Sequence, residues 1–332
     1  MKQSNEWDSP RRLIRPPHDA AVAGMRAMKA IGSAGAQGLR PGARRLISAA
    51  QRMLLGTAED IDALGPIAPA ELAAAIPEPL REQLARAMVL ITLTDGPPHP
   101  AAAEQLRGFA RALGVDERAI ETVHLFASGH MLLGVLDYHR RSNIRDMAAT
   151  EIADHGLFRG VRALLGVRGL IEDPLVAEPF RALADLPAGS LGRELFDHYR
   201  RNGFALPGEK HGFPEAGVYH DFTHVLAGYG TEPLGEIQVA AFTAGYRKKD
   251  PLVVAMLPLL VFCADINVTP IPHEHIDALF AQPGTAERYL RAIERGGEVT
   301  TDLSDHWDFW PLVRRPLEEV RRELGVAPLG PV

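Results

Sequence analysis

Three side chains able to ligate a metal stand close together in the chain at His220, Asp221 and His224, positions i, i+1 and i+4. On a helix of about 3.6 residues per turn they project at roughly 0°, 100° and 40°, so one face carries all three. Val225-Leu226-Ala227 continues the helix, and Gly228-Tyr229-Gly230 stops it, glycine being the usual residue just past a helix end. Thr231-Glu232-Pro233 then supplies a capping hydroxyl and a first-turn proline for a second helix. Glu236 falls in the first turns of that helix, close enough to fold back onto the first. Two imidazoles and two carboxylates form a mixed nitrogen and oxygen set for a divalent cation, and zinc fits it. The expected ligands are His220, Asp221, His224 and Glu236, with Asp221 either a fourth ligand or an acid/base that moves a proton. Such a centre keeps positions open for water, oxygen or substrate.

A histidine pair at i, i+4 alone is an ordinary capped or surface feature. The intervening Asp221 and a glutamate beyond a tight glycine turn move the reading to a metal. A metal hydrolase shares part of the pattern, since His-Asp-x-x-His differs from the zincin His-Glu-x-x-His by one methylene. The shorter Asp221 sits further from a metal-bound water, however, and the helix ends within a turn of His224. Around the ligands, Asn202 to Gly217 reads as an extended loop rich in Gly and Pro that lines the site, with His211 first a solvated loop histidine and otherwise a substrate contact or proton shuttle. Tyr229 and Arg247, the latter in Arg247-Lys248-Lys249, are further candidates for substrate contact. His124, His130, His139 and His155 share no close spacing with acidic partners and read as core or surface residues. Pro272 before an acidic first turn makes Ile271-Pro272-His273-Glu274-His275 a helix start rather than a second site.

The full spacing, His220-Asp221-x-x-His224, eleven residues, then Glu236, resembles the signature of the Coq-four family of ubiquinone (coenzyme Q) biosynthesis proteins. Pro207-Gly208-Glu209-Lys210, Gly235-Glu236, Trp307-Asp308-Phe309-Trp310 and Pro316-Leu317-Glu318-Glu319-Val320-Arg321 suit that family too, and the resemblance runs from Leu191 to Val326. It implies a prenylated aromatic quinone precursor as substrate and decarboxylation coupled to hydroxylation at the ring carbon bearing the carboxylate. It also implies zinc as cofactor, the apolar stretch from Glu236 to Cys263 as shelter for an isoprenoid tail, and other quinone-biosynthesis enzymes or a second copy of the chain as partners. A non-catalytic scaffold that binds metal and prenyl lipid fits the same residues.

Composition bounds the rest. The chain has 332 residues, enough for two domains, with 46% apolar and 6% aromatic residues and a formal charge of -6. That balance offers no basic field for nucleic acid. Abundant Ala, Leu and Arg, and the near absence of alternating Val and Ile clusters, predict an all-α protein of multi-helix bundles. Cys263 is the one cysteine, which excludes an internal disulfide and suits a reducing cytoplasm. Met1 to Arg15 lacks an apolar core for a secretory signal. The longest apolar run, Pro251 to Ala264, is short of the roughly 20 residues that span a bilayer. A soluble cytoplasmic protein is expected, with any membrane contact limited to the periphery of the inner membrane; the basic amphipathic patch Ala43 to Leu55 reads first as a packed helix with solvated arginines and otherwise as a means of such contact.

Residues 1–20, with Pro10, Pro16 and Pro17, read as a mobile tail. A helical domain is expected over 21–185, a Pro- and Gly-containing boundary from Leu183 to Gly192, and a helical metal-binding domain over 190–332. Within the first domain Asp95-Gly96, Glu104, Leu106, Phe109, Leu113 and Gly114-Val115-Asp116 loosely resemble the TerB-like helical domain of tellurite-resistance proteins. Asp95 and Glu104 there either cap helices or hold a cation, with capping the preferred reading.

Overall fold

The computed structural model describes residues 13–142, 172–212, 214–268, 275–305 and 307–330. Among them there are fourteen α-helices and no strand, and one isolated bridge joins Ser190 to Pro316. The all-α expectation holds. No helix of the described residues is long and apolar enough to cross a membrane.

The described residues fall into two compact units, and these do not follow the expected boundary near 185–190. One unit comprises Arg12–Arg141 with Asp250–Glu294, and the other Ser142–Lys249 with Arg295–Val332. The first contains helices α1 (His18–Ser33), α2 (Pro41–Ala50), α3 (Pro69–Ala75), α4 (Glu78–Ile91), α5 (Pro100–Leu113), α6 (Ala119–Ala127) and α7 (Met131–Arg141). Of the stretch expected as a tail, residues 1–12 lie outside the described residues, while α1 begins at His18 and Ala20 is already buried. Asp95 caps α2: its carboxylate accepts from the Gly42 and Ala43 amides at 2.6 and 2.7 Å, satisfying two donors at the helix start. Glu104 pairs with Arg107 on the surface of its own helix.

The departure concerns the apolar run after Lys249. Helix α12 (Pro251–Pro258) and the wider turn Leu259–Cys263 that continues it belong to the N-terminal unit, as does most of α13 (Thr285–Gly296). The run lacks a polar face, so it is stable only where neighbours cover it on every side. There, Tyr138 donates its hydroxyl to the Val253 carbonyl at 3.1 Å and Tyr289 to that of Ala255 at 3.0 Å. The preceding helix ends at Tyr246 with Arg247 extended, and Asp250, with φ of 45°, stands immediately before α12.

The second unit holds α8 (Pro174–Arg181), α9 (Leu191–Asn202), α10 (Val218–Ala227), α11 (Pro233–Tyr246) and α14 (Leu317–Leu324). Ser190 caps α9 through its hydroxyl, and Gly203 ends it in the left-handed conformation. Phe222 of α10 packs on Phe309, with ring centroids 4.6 Å apart, and on Trp307 at 5.4 Å. Trp307 and Phe309 thus pack against α10 through Phe222.

Candidate metal centre

Helix α10 opens after a single tight turn at Glu215–Gly217 and closes at Gly228, whose φ of 76° suits a residue without a side chain. Helix α11 begins with Pro233 and runs close against the intervening loop. A Cβ on Gly235 would lie 2.1 Å from the Gly230 carbonyl oxygen, so glycine is required where the second helix meets the turn. That close approach carries Glu236 back onto α10.

The outcome is a three-residue cluster. His220 Nε2 lies 3.1 Å from Glu236 Oε2 and 3.1 Å from His224 Nε2, and His224 Nε2 lies 3.3 Å from Glu236 Oε1. Among the described residues, this is the one set of three or more His, Cys, Asp or Glu whose ligand atoms all fall within 4.8 Å of one another. The donor set fits zinc: tetrahedral bonds of about 2.0–2.1 Å place neighbouring donors about 3.3 Å apart, close to the observed spacings. The second nitrogen of His224 is also committed as a ligand histidine requires. Its Nδ1–H donates to the Tyr229 carbonyl at 3.2 Å, which leaves Nε2 as the free lone pair.

Burial is graded across the cluster. His224 is 2% exposed, while the His220 side chain keeps 50% of its surface open. The centre is therefore approached from the His220 side. Burial disfavours a charged His220, but the charge and hydrogen bond of Glu236 outweigh it and push its pKa up to about 9. Burial likewise opposes an ionised Glu236, and the two imidazoles nevertheless hold it far below the usual carboxylate range.

Asp221 is not part of the cluster, which corrects the four-ligand expectation. Its carboxylate accepts a hydrogen bond from the Tyr199 hydroxyl of α9. The physical reason is the roughly 100° per residue of an α-helix, which turns Asp221 away from its neighbour His220 and towards α9. Burial raises its pKa, with His220 and Tyr199 acting against the rise. Burial and Asp221 together push Tyr199 well above the ordinary phenol value.

The other candidates take different places. His211 is exposed on the loop with φ at 66° and lies outside the cluster. Tyr229 is buried, and its role is structural: its carbonyl holds His224, and its hydroxyl accepts from Arg295 at 2.6 Å. Arg247 is 1% exposed, bonded to the Lys249 carbonyl at 2.6 Å and the Ser304 hydroxyl at 2.9 Å, and paired with Asp305. It is a core arginine of its unit, where the sequence reading had it meeting substrate. The expected shelter of the tail is also divided, since Pro251–Cys263 is buried in the other unit. His155 and His273 lie outside the described residues.

Helix α9 contributes what sequence reasoning missed. His198 stacks on His224 with centroids 5.3 Å apart and 27° between ring planes. Burial foremost, aided by the nearby His224 and Arg201, lowers its pKa to about 4. Asn202 donates to the His198 carbonyl at 2.8 Å and accepts from Thr231 at 3.0 Å, tying α9 to the loop between the two ligand helices. A signal was present in the chain: His198 and Tyr199 fall on the stripe set by Leu191 and Leu195, so polar residues occupy the buried face of α9.

A scan against protein-family models and a search of curated proteins gave no match to this chain.

Proposed function

We propose that the chain is a divalent-metal protein of quinone biosynthesis that acts on a prenylated aromatic precursor, coupling decarboxylation to hydroxylation at the ring carbon bearing the carboxylate. The observation that carries the metal assignment is the convergence of His220, His224 and Glu236 with Nε2 of both imidazoles turned inward. The substrate class rests on the resemblance of His220-Asp221-x-x-His224 and Glu236, at their spacing, to the Coq-four signature. Zinc is the cation the donor set suits best.

A bound cation would supply Lewis acidity at a ring oxygen, and the reaction balances with dioxygen as the two-electron oxidant, carbon dioxide leaving the ring carbon, water supplying the hydroxyl oxygen and hydrogen peroxide being released. The protein's own groups do the rest. His224 and Glu236 form the enclosed side of the centre and His220 its open side, so a ligand enters past His220. Asp221, which accepts the Tyr199 hydroxyl beside the ligand helix, is the acid/base this reading assigns. The engagement of Asp221 by Tyr199 weighs against the zincin-like hydrolase, which needs that carboxylate on a metal-bound water.

One observation favours a second reading, a metal and prenyl-lipid scaffold: in the unit formed by Arg12–Arg141 and Asp250–Glu294, no such metal-capable set occurs among the described residues. On this reading that unit docks to other biosynthetic enzymes. Metal analysis and mass spectrometry of lipids extracted from the purified protein test both readings. The enzyme reading expects about one zinc per chain, lost in His224→Ala, and conversion of a prenylated hydroxybenzoate. Lipid bound without turnover would select the scaffold, and unchanged metal content in His224→Ala would sink the ligand assignment.

A further inference from the structure

One polar atom beside the centre is buried without a partner. His198 is 6% exposed, and its Nε2 has no hydrogen-bond partner among the described residues. Buried polar groups in folded proteins are almost always satisfied, so this atom, beside the centre, calls for a partner.

Its chemical state follows from its neighbours. The His198 carbonyl only accepts, so the Asn202 atom 2.8 Å from it is the amide nitrogen, an orientation that also lets Asn202 Oδ1 accept from Thr231. The same nitrogen lies 3.4 Å from His198 Nδ1 and donates to it. An Nδ1 that accepts leaves the proton of the neutral ring on Nε2, which is therefore a donor.

The location follows from the stack. His224 turns its Nδ1 edge to the Tyr229 carbonyl, and His198 turns its Nδ1 edge to Asn202, which bonds Thr231 in the same loop. The stack lays the His198 ring against the face of His224, whose Nε2 meets His220 and Glu236, so the unpartnered ring borders the centre. A divalent cation there, opposed by a single carboxylate from Glu236, leaves net positive charge for an anion to neutralise.

We propose that His198 Nε2–H donates a hydrogen bond to the oxygen of an aromatic carboxylate or phenolate bound at the His220–His224–Glu236 centre. The inference rests on the metal assignment and adds a recognition residue from a third helix. It makes His198 a contact to the ligand rather than to the cation.

The test uses the full-length chain loaded with zinc and 4-hydroxybenzoate as probe, followed by calorimetry and by long-range proton–nitrogen NMR of the histidine rings. The wild type is expected to bind the probe with a shift of the His198 Nε2 signal. His198→Phe, which keeps the stack and removes the donor, is expected to retain zinc and bind the probe about ten- to a hundredfold more weakly. His198→Gln, which returns an N–H, is expected to recover part of the loss. Equal probe affinity in wild type and His198→Phe overturns the inference while the metal centre stands, and so does a His198 signal untouched by the probe, a readout that needs no variant to fold. Failure of the wild type to take up zinc overturns both.

Discussion

Metal uptake at His220 competes with a proton. With its pKa at about 9 in the metal-free protein, the ring is protonated at neutral pH and must release that proton to become a ligand. Zinc affinity is therefore expected to climb as pH rises and to level off above about 9. Calorimetry at pH 7 in buffers of different ionisation enthalpy should register about one proton released per zinc, and an uptake near zero would contradict the charged pair. The same pair sets the stability of the metal-free form. A raised histidine stabilises the fold fully below its ordinary value of 6.5 and loses that contribution as pH climbs through about 9. Glu236, held low, stabilises above the ordinary carboxylate range and loses its contribution as pH falls below it. Metal-free protein is thus expected to show its highest urea midpoint between these limits, with declines on both sides. A midpoint that kept rising past pH 9 would contradict the His220 assignment. His224 and Glu236 were legible from spacing alone. Asp221 misled because sharing a helix face at 100° offsets is a weaker condition than sharing a point, and Tyr199 stood ready to take the carboxylate.

The elements around the centre succeed because their ends are satisfied. The last turn of α10 leaves carbonyls without intrahelical partners, and two distant arginines take them up. Arg321 of α14 donates to Leu226 at 2.9 Å and Val225 at 2.8 Å, and Arg295 donates to Ala227 at 3.2 Å. Positive charge at that terminus also complements the helix dipole. Arg321→Ala should cost about 1–3 kcal/mol in urea unfolding, the range for part-buried acceptors left unpaired. Arg322→Ala, whose guanidinium reaches the Glu318 carbonyl of its own helix, should stay within about 0.5 kcal/mol. Equal losses in the two variants would remove the capping argument. At the other end of the loop, Gly235→Ala drives a methyl into the Gly230 carbonyl and should lower zinc occupancy more than overall stability, checked by metal analysis beside the thermal midpoint. Gly228-Tyr229-Gly230 announced the break between helices in the sequence. The arginine caps did not announce themselves, since both come from 66 or more residues further along the chain.

At the scale of the molecule, the chain's order and its packing disagree. Asp250–Glu294 interrupts the C-terminal unit in sequence yet packs with Arg12–Arg141, so a cut near residue 190 would strand it. A fragment of residues 190–332 is expected to expose Leu259, Leu260 and Phe262 and to aggregate on expression, whereas the full chain does not; a soluble, monodisperse fragment would contradict this division. The amino-acid order by itself determined that the protein is helical, since propensity and apolar period are local properties. It determined as well that His220, His224 and Glu236 could meet, because one glycine turn joins the two helices that carry them. Only the tertiary structure decided that Asp221 leaves the cluster, that Arg247 is core, that α9 brings His198 against His224, and that an apolar run packs outside its sequence neighbourhood. Each of those depends on which surfaces meet across many residues, and a buried face is filled by whatever segment fits it, wherever in the chain that segment lies.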